Sequence, residues 1–318
     1  MRGGAIRRAA LLALGAGALA CSAATSNDRV GVRADARTLE QSSFEAALRG
    51  DLERARALEE RALVGYRSID ATAAMAGALN RVGNLRQRTG DPEGARVAYL
   101  EAQSLSRLTG DRAEEAAALS NLGTLYEEAG DLAAADAHYQ QAHAVAEAAD
   151  ADATLATILN NQALLARKQG DPRRAIALLE SALAIDRERG NDAGAANRLR
   201  NLGAVHAAVG DGRAAVAALG EALEIDRRRE NIPEIALDLV TLSEVNARDP
   251  ASLPLAINQR RRAADIHRLL DRAAQLRDDE AAIATWCDTL RERDPAAVSP
   301  VDCAVGAGGA ASGSAAAR

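Results

Sequence analysis

The side chains that could carry chemistry in this sequence are few and lie far apart. His138 and His143 are five residues apart, a spacing that does not bring two imidazoles onto one face of a helix to share a metal ion. Serine, histidine and aspartate are scattered, without the sharp strand-to-helix turn that exposes a catalytic serine. The run from Gly306 to Gly309 follows no strand, unlike a phosphate-binding loop. We therefore expect no catalytic residue, no metal site, no cofactor and no small-molecule substrate.

The charge balance narrows the class of protein further. The 318 residues include 45 acidic and 39 basic side chains, and the formal net charge is −6, whereas a nucleic-acid binder needs a basic footprint. Two arginine runs, 227–229 and 260–262, could meet an anionic surface, but flanking acids favour solvated helix faces.

Only 2 % of the residues are aromatic and 48 % are apolar, which favours closely packed helices. We expect an all-α protein that does not bind nucleic acid.

The elements that position these residues begin after an export signal. Arg2, Arg7 and Arg8 precede an unbroken apolar stretch over 9–20, which is typical of a signal peptide and too short for a stable transmembrane helix. We therefore assign 1–20 to a signal peptide.

The end of this stretch, Ala18-Leu19-Ala20-Cys21, resembles a bacterial lipoprotein signal, although leucine is commoner where Ala18 stands. The resemblance implies lipidation of Cys21, and Ser22 implies sorting to the outer membrane, facing the periplasm. This lipid anchor would be the only membrane contact. The alternative is an ordinary signal peptide and a soluble periplasmic or secreted protein.

Two further cysteines, Cys287 and Cys303, remain if Cys21 carries a lipid. An oxidising compartment favours a disulfide between them, and closing a loop of this size gains about 3 kcal/mol. Two free thiols are the alternative.

A forty-residue repeat organises the mature chain. Gly-Asp pairs recur every forty residues, and alanine follows each glycine after five and after twelve residues, so the period is real. The pairs begin at Gly50, Gly90, Gly130, Gly170 and Gly210. A second position that ends a helix lies midway between successive Gly-Asp pairs. Each unit is therefore two helices of about seventeen residues, the leading and the trailing helix, joined by short turns.

Local chemistry supports this division. Glycine adopts the left-handed conformation that ends the leading helix, and the following aspartate caps the trailing helix. A small residue on each leading helix marks close helix approach, and a bulkier one on the trailing helix fills the space between. The small residues are Gly83, Gly123, Ala163 and Gly203, and the bulkier ones are Tyr99, Tyr139, Leu179 and Leu219.

The third copy contains Leu122-Gly123, Tyr126, Gly130-Asp131, Ala135, Tyr139 and Ala142. This order resembles the tetratricopeptide repeat (TPR), in a forty-residue variety. The resemblance implies an α-solenoid of about six antiparallel helix pairs, a TPR superhelix, over 38–270, and a capping helix follows over 271–293. Residues 21–37 would form the lipid attachment site and a tether, and 294–318 a low-complexity tail.

In tetratricopeptide repeats the leading helices line a concave groove, so the resemblance implies a ligand site there. Side chains four and seven apart form one stripe on these helices, and amides could hold a peptide backbone through both donor and acceptor groups. The stripe consists of Asn80, Asn84, Gln87, Ser120, Thr124, Glu127, Asn160, Arg167 and Arg200. The alternative is an ordinary hydrated helix face. Asn161 recurs identically in neighbouring repeats, at Asn121 and Asn201, which favours a structural role.

The sequence thus predicts a non-enzymatic scaffold that binds a partner protein or peptide in the groove, anchored to the outer membrane by lipid. A secreted or soluble periplasmic peptide-binding or sensor protein is the alternative.

Overall fold

The computed structural model describes residues 28–293 and Cys303. Its regular structure is helical, with thirteen α-helices and one short 3₁₀ helix, Pro250–Ser252, over the described ranges. The first helix, α1, covers 28–48. The others are α2 (Leu52–Ser68), α3 (Thr72–Arg88), α4 (Pro92–Thr109), α5 (Arg112–Glu128), α6 (Leu132–Glu147), α7 (Asp152–Lys168), α8 (Pro172–Glu188), α9 (Asp192–Ala208), α10 (Gly212–Arg228), α11 (Ile232–Asn246), α12 (Leu253–Leu269) and α13 (Ala273–Arg293).

In chain order these helices form six leading and trailing pairs, α1–α2 to α11–α12, followed by α13, which confirms the predicted solenoid class. The odd-numbered helices up to α11 are leading helices and the even-numbered ones are trailing helices. The chain divides into two compact units, residues 1–165 (unit 1) and 166–318 (unit 2). Within each unit, successive helices pack against each other, and in unit 1 the leading helices α3 and α5 are also in contact.

The turns follow the predicted chemistry. Seven glycines at helix ends have φ between 65° and 83°, the left-handed region that only glycine enters without strain. After each Gly-Asp pair, the aspartate side chain accepts a hydrogen bond from a backbone N–H of the trailing helix. The turns between helix pairs do not always contain glycine: Asp70, Asp150, Glu230 and Asp271 adopt positive φ there.

The predicted small-to-large contacts form the core. A Cβ added to Gly123 would lie 2.7 Å from the Tyr139 ring, and one added to Gly203 would lie 2.5 Å from Leu219 Cγ. Tyr99 and Tyr139 are fully buried. The bulky trailing residue therefore occupies the space that a side chain on the leading helix would need.

The structure differs from the predicted boundaries at the N-terminal end. Residues 28–37, assigned to the tether, form the first turns of α1. Ala36 is buried in a cluster with Ala62, Leu63 and Tyr66 of α2, so this part of the chain joins the core. Residues 1–20, Cys21 and the tail beyond Cys303 lie outside the described residues. None of the described helices is long and apolar enough to cross a membrane.

At the C-terminal end, α13 begins at Ala273 and packs on α12 through an apolar cluster of Leu253, Ile257, Ile283 and Cys287. Cys287 and Cys303 form a disulfide.

Candidate ligand-binding faces of the leading helices

On α3, a buried tyrosine of the next helix contacts two side chains of the predicted stripe. The Tyr99 hydroxyl lies 2.7 Å from Asn84 Oδ1 and 3.0 Å from Gln87 Oε1. Burial raises the pKa of Tyr99, so the group stays a neutral hydroxyl. Asn84 remains exposed, and its amide NH₂ keeps its donors.

The same arrangement recurs forty residues later on α5. The Tyr139 hydroxyl lies 3.0 Å from Thr124 Oγ1 and 3.1 Å from Glu127 Oε2. Burial again raises the pKa of the tyrosine. The tyrosines therefore fix the orientation of four stripe side chains while leaving them at least partly accessible.

Three other members of the stripe are buried. Asn80, Ser120 and Asn160 are 5 %, 4 % and 7 % exposed. The Asn80 amide donates to Glu114 Oε2 at 2.7 Å, and Ser120 Oγ accepts a hydrogen bond from Asn161 Nδ2 at 3.2 Å. Asn80 is therefore covered by the next leading helix and does not face an open groove. Asn161 contacts a neighbouring helix, as its repetition predicted.

The last two members of the stripe belong to unit 2 and differ from each other. Arg167 is exposed, whereas the Arg200 side chain is only 13 % exposed. Arg200 contacts Asp226 Oδ2 at 3.0 Å, Glu234 Oε2 at 2.5 Å and Asp238 Oδ1 at 3.0 Å. Arg200 is thus the counter-ion of a buried acidic cluster and not a free groove residue.

Asp238 has the most perturbed environment in this cluster. Its side chain is fully buried, and burial raises its pKa to about 7, with Arg200 acting in the opposite direction and the nearby Asp226 and Glu234 charges adding to the rise. Near neutral pH the buried carboxyl group of Asp238 is therefore partly protonated.

Charged contacts of this kind occupy one repeated position between consecutive helix pairs. In unit 2 the facing residues are Asp186 and Arg198 (3.2 Å), Asp226 and Asp238, and His267 and Asp279 (2.6 Å). In unit 1 the corresponding residues are Tyr66 and Ala78, Ser106 and Ala118, and Ala146 and Ile158. The residues at this position therefore change from small, apolar or tyrosine side chains in unit 1 to ionisable side chains in unit 2.

The contact between α12 and α13 corrects the interpretation of one arginine run. Arg260 is buried, its Nε lies 2.8 Å from Asp279 Oδ1, and its guanidinium carbon lies 5.9 Å from the centre of the Trp286 ring. His267 Nδ1 also contacts Asp279. Burial raises the pKa of Asp279, although Arg260 and His267 act against that rise. Arg260 is therefore part of the core and not of a solvated face.

This buried triad forms the floor of a cleft of about 430 Å³ between α11, α12 and α13, which we call the C-terminal cleft. Its wall on α11 is apolar, with Leu237 47 % exposed beside Val240. His267 lines the cleft, and its Nδ1 contacts Asp279. The other lining residues are Pro233, Glu234, Glu244, Arg272, Gln275 and Asp278.

Two other histidines, His138 and His143, contact neighbouring side chains. His138 stacks on Tyr126 with ring centres 5.0 Å apart, and burial lowers its pKa. His143 Nδ1 lies 3.1 Å from Gln162 Oε1. Within the described residues, no group of three His, Cys, Asp or Glu side chains could hold a metal ion.

A change along the repeat could have indicated the C-terminal cleft from sequence. The position of Asn80 holds Ser120, Asn160, Arg200 and finally Val240 in later copies, and the position three residues earlier ends in Leu237. The last leading helix therefore replaces polar or small side chains with two aliphatic ones. The sequence analysis extended the polar stripe and did not follow this replacement.

The fold and these faces define the class of protein, an α-solenoid of stacked helix pairs. The tetratricopeptide-repeat family model matches residues 74–148 and 154–228, so these segments contain tetratricopeptide repeats. The fold is accordingly that of a protein–protein interaction scaffold and is typical of non-enzymatic interaction proteins.

Solved structures support the fold. A signal-transduction ATPase with numerous domains and a tetratricopeptide repeat sensor, from Pyrococcus horikoshii, aligns with a TM-score of 0.65 and 12 % identity, covering 84 % of this chain and 42 % of that one. A Rap protein complexed with competence and sporulation factor aligns with a TM-score of 0.60 and 12 % identity, covering 81 % of this chain and 76 % of that one. Aspartyl phosphate phosphatase F from Bacillus subtilis aligns with a TM-score of 0.60 and 14 % identity, covering 84 % of this chain and 68 % of that one. No curated protein matches the sequence significantly.

Proposed function

We propose that this protein is a non-enzymatic scaffold that binds an extended segment of a partner protein in the C-terminal cleft. The observation that carries the proposal is the aliphatic wall of exposed Leu237 and half-buried Val240 above a buried polar floor. A volume of about 430 Å³ lies in the range of ligand sites. An apolar side chain of the partner that covers Leu237 would remove both surfaces from water, which contributes roughly 1.5–3 kcal/mol.

The charges around the cleft indicate the chemistry of the partner. Four carboxylates line it, at Glu234, Glu244, Asp278 and Asp279, against two arginines, Arg260 and Arg272. Asp279 and Glu244 contact Arg260, and Glu234 contacts Arg200, whereas Asp278 is exposed. The excess of acids favours a partner segment with a lysine or arginine next to its apolar residue.

The accessible part of the predicted stripe is a second proposed contact surface for the partner. In unit 1, Asn84, Gln87, Thr124 and Glu127 are oriented by tyrosines and remain partly accessible. Amide and carboxylate groups held in this way bind a peptide backbone at a lower entropic cost.

Peptide display tests the cleft. Random peptides selected on the wild-type protein should be enriched in an aliphatic or aromatic residue next to lysine or arginine. Leu237→Glu should weaken binding of the selected peptides at least about tenfold, because it places a charge on the apolar wall. Isothermal titration calorimetry with individual synthetic peptides measures the change.

The matched control is Val209→Glu, because Val209 is 50 % exposed in the same unit and does not line the cleft. Both variants should melt at the wild-type temperature, since both side chains are already exposed. Peptides that bind Leu237→Glu as tightly as wild type would show that the cleft is not the site.

We also propose that Cys21 is lipidated and that the protein is anchored to the outer membrane, facing the periplasm. The support is the sequence of the leader, with three arginines, a twelve-residue apolar stretch and a small residue before Cys21. The soluble periplasmic or secreted form is the alternative.

Fractionation of expressing cells tests the anchor. Wild-type protein should sediment with membranes and partition into detergent, and Cys21→Ala should release it to the soluble fraction. A soluble wild-type protein would favour the alternative and leave the cleft proposal intact.

A further inference from the structure

A row of arginines lies at the start of α1. Arg29, Arg33 and Arg37 follow each other at intervals of four residues, so they share one face of the helix, and all three are exposed. They line a cleft of about 530 Å³ together with Val30, Ala34, Ile69 and Asp70. An adjoining cleft of about 410 Å³ shares Arg33, Arg37 and Asp70 and is closed by Tyr66 and the start of α3.

This surface is basic although the chain as a whole is acidic. Asp70 is the single acid among the residues that line the two clefts, against three arginines. None of the three arginines forms an ion pair with a residue of the described chain, whereas Arg81 and Arg86 on α3 contact Glu59 and Glu60. Like charges four residues apart on a helix repel each other, so an external anion would relieve a cost already present in the free protein.

Exposed apolar side chains continue this face of α1. Val30 is 71 % exposed, and Phe44, two periods of seven residues further along the same face, is 64 % exposed. Leu48 follows Phe44 by four residues and is also exposed. A helix that presents arginines and large apolar residues together is typical of elements that lie on a membrane surface.

The position of α1 in the chain fits such a contact. Six residues separate Cys21 from the start of α1 at residue 28, and a segment of that length spans at most about 25 Å in any conformation. A lipid on Cys21 would therefore hold the arginine row close to the bilayer.

We propose that α1 docks on the surface of an anionic phospholipid bilayer. Arg29, Arg33 and Arg37 contact the lipid phosphates, and Val30 and Phe44 lie at the headgroup boundary. The inference rests on the proposed anchor only for bringing α1 to the membrane, because the basic and apolar face is a property of the folded chain.

Vesicle binding by the unlipidated chain from residue 22 onward tests the inference separately from the anchor. The protein should sediment with vesicles of phosphatidylethanolamine and phosphatidylglycerol and much less with phosphatidylcholine vesicles. Arg29→Gln, Arg33→Gln and Arg37→Gln together should lower the partition coefficient roughly a hundredfold, at about fivefold per arginine. Raising the salt from about 0.05 to about 0.5 M should weaken wild-type binding strongly, and Phe44→Ser should weaken it several-fold at either salt concentration.

The matched control removes three exposed arginines of unit 1 that lie outside the clefts, by Arg54→Gln, Arg61→Gln and Arg88→Gln. It should bind anionic vesicles as the wild type does, and both triple variants should keep the wild-type melting temperature. An equal loss of vesicle binding in the two triple variants would show that net charge alone causes the effect, and it would overturn the proposal. Tight binding of inorganic phosphate without vesicle binding would identify a soluble anion as the ligand and overturn it as well.

Discussion

Replacing Arg200 by methionine is expected to lower the free energy of unfolding of unit 2 by about 3–5 kcal/mol at pH 8. The change leaves the buried carboxyl groups of Asp226 and Asp238 without the guanidinium that contacts both, and Glu234 loses its partner. Trp286, the single tryptophan, lies in unit 2, so its fluorescence during urea unfolding reports the loss. Arg213→Met removes an exposed arginine of the same unit and should change the free energy little.

The pH dependence of the same cluster has a defined sign. The pKa of Asp238 is about 7 in the folded state and about 3.9 in an unfolded chain. Between these pH values the Asp238 carboxyl group is protonated in the folded state and ionised in the unfolded state. The contribution of Asp238 to the free energy of unfolding therefore falls as the pH rises from about 4 to about 7, and it is constant above about pH 7. Asp238→Asn should remove this slope and raise the melting temperature at pH 8. The loss caused by Arg200→Met should shrink at pH 5, and an equal loss at both pH values would contradict the assignment.

Gly123→Ala is expected to destabilise unit 1 by about 1–3 kcal/mol through overpacking. The added Cβ would lie 2.7 Å from the Tyr139 ring, well inside van der Waals contact. The ring has little room to move, because Leu165 and Ala135 pack around it and its hydroxyl contacts Thr124 and Glu127. Hydrogen exchange of the α5 and α6 amides measures the loss of stability in this unit.

A second glycine provides a control of opposite sign. Gly220 lies inside α10, and a Cβ added there would meet nothing within 4 Å. Gly220→Ala should therefore stabilise its helix by about 0.5–1 kcal/mol through reduced backbone entropy in the unfolded chain. If both substitutions had the same effect, helix propensity and not the tyrosine contact would determine the result at Gly123.

The sequence was sufficient for the helix pairs because their determinants are local and periodic. Each Gly-Asp pair fixes the end of one helix and the cap of the next, and Gly83, Gly123 and Gly203 each meet a bulky residue sixteen positions later. The start of α1 was missed because no glycine marks it and Ser42-Ser43 departs from the repeat. Ser43 is accommodated since its hydroxyl donates to the Ala55 carbonyl oxygen at 2.8 Å.

The candidate site was less predictable, because helical periodicity defines a face but not what covers it. Asn80 and Asn84 were placed on one stripe, yet Glu114 of the next leading helix binds the first and Tyr99 binds the second. The role of Arg260 depends on α13, which follows the last repeat and has no counterpart in the period. The aliphatic wall at Leu237 follows only from comparing each repeat with the next.

Glu234 belongs to two structures at once, the rim of the C-terminal cleft and the carboxyl cluster around Arg200. The charge of Glu234 helps to raise the pKa of Asp238, so a lysine or arginine bound beside Glu234 lowers it. Binding of such a basic segment at the proposed site should therefore release part of a proton near pH 7. If the proposed cleft binds such a segment, thermodynamic reciprocity predicts that proton uptake by Asp238 weakens the segment's affinity, so the affinity should increase as the pH rises toward about 7.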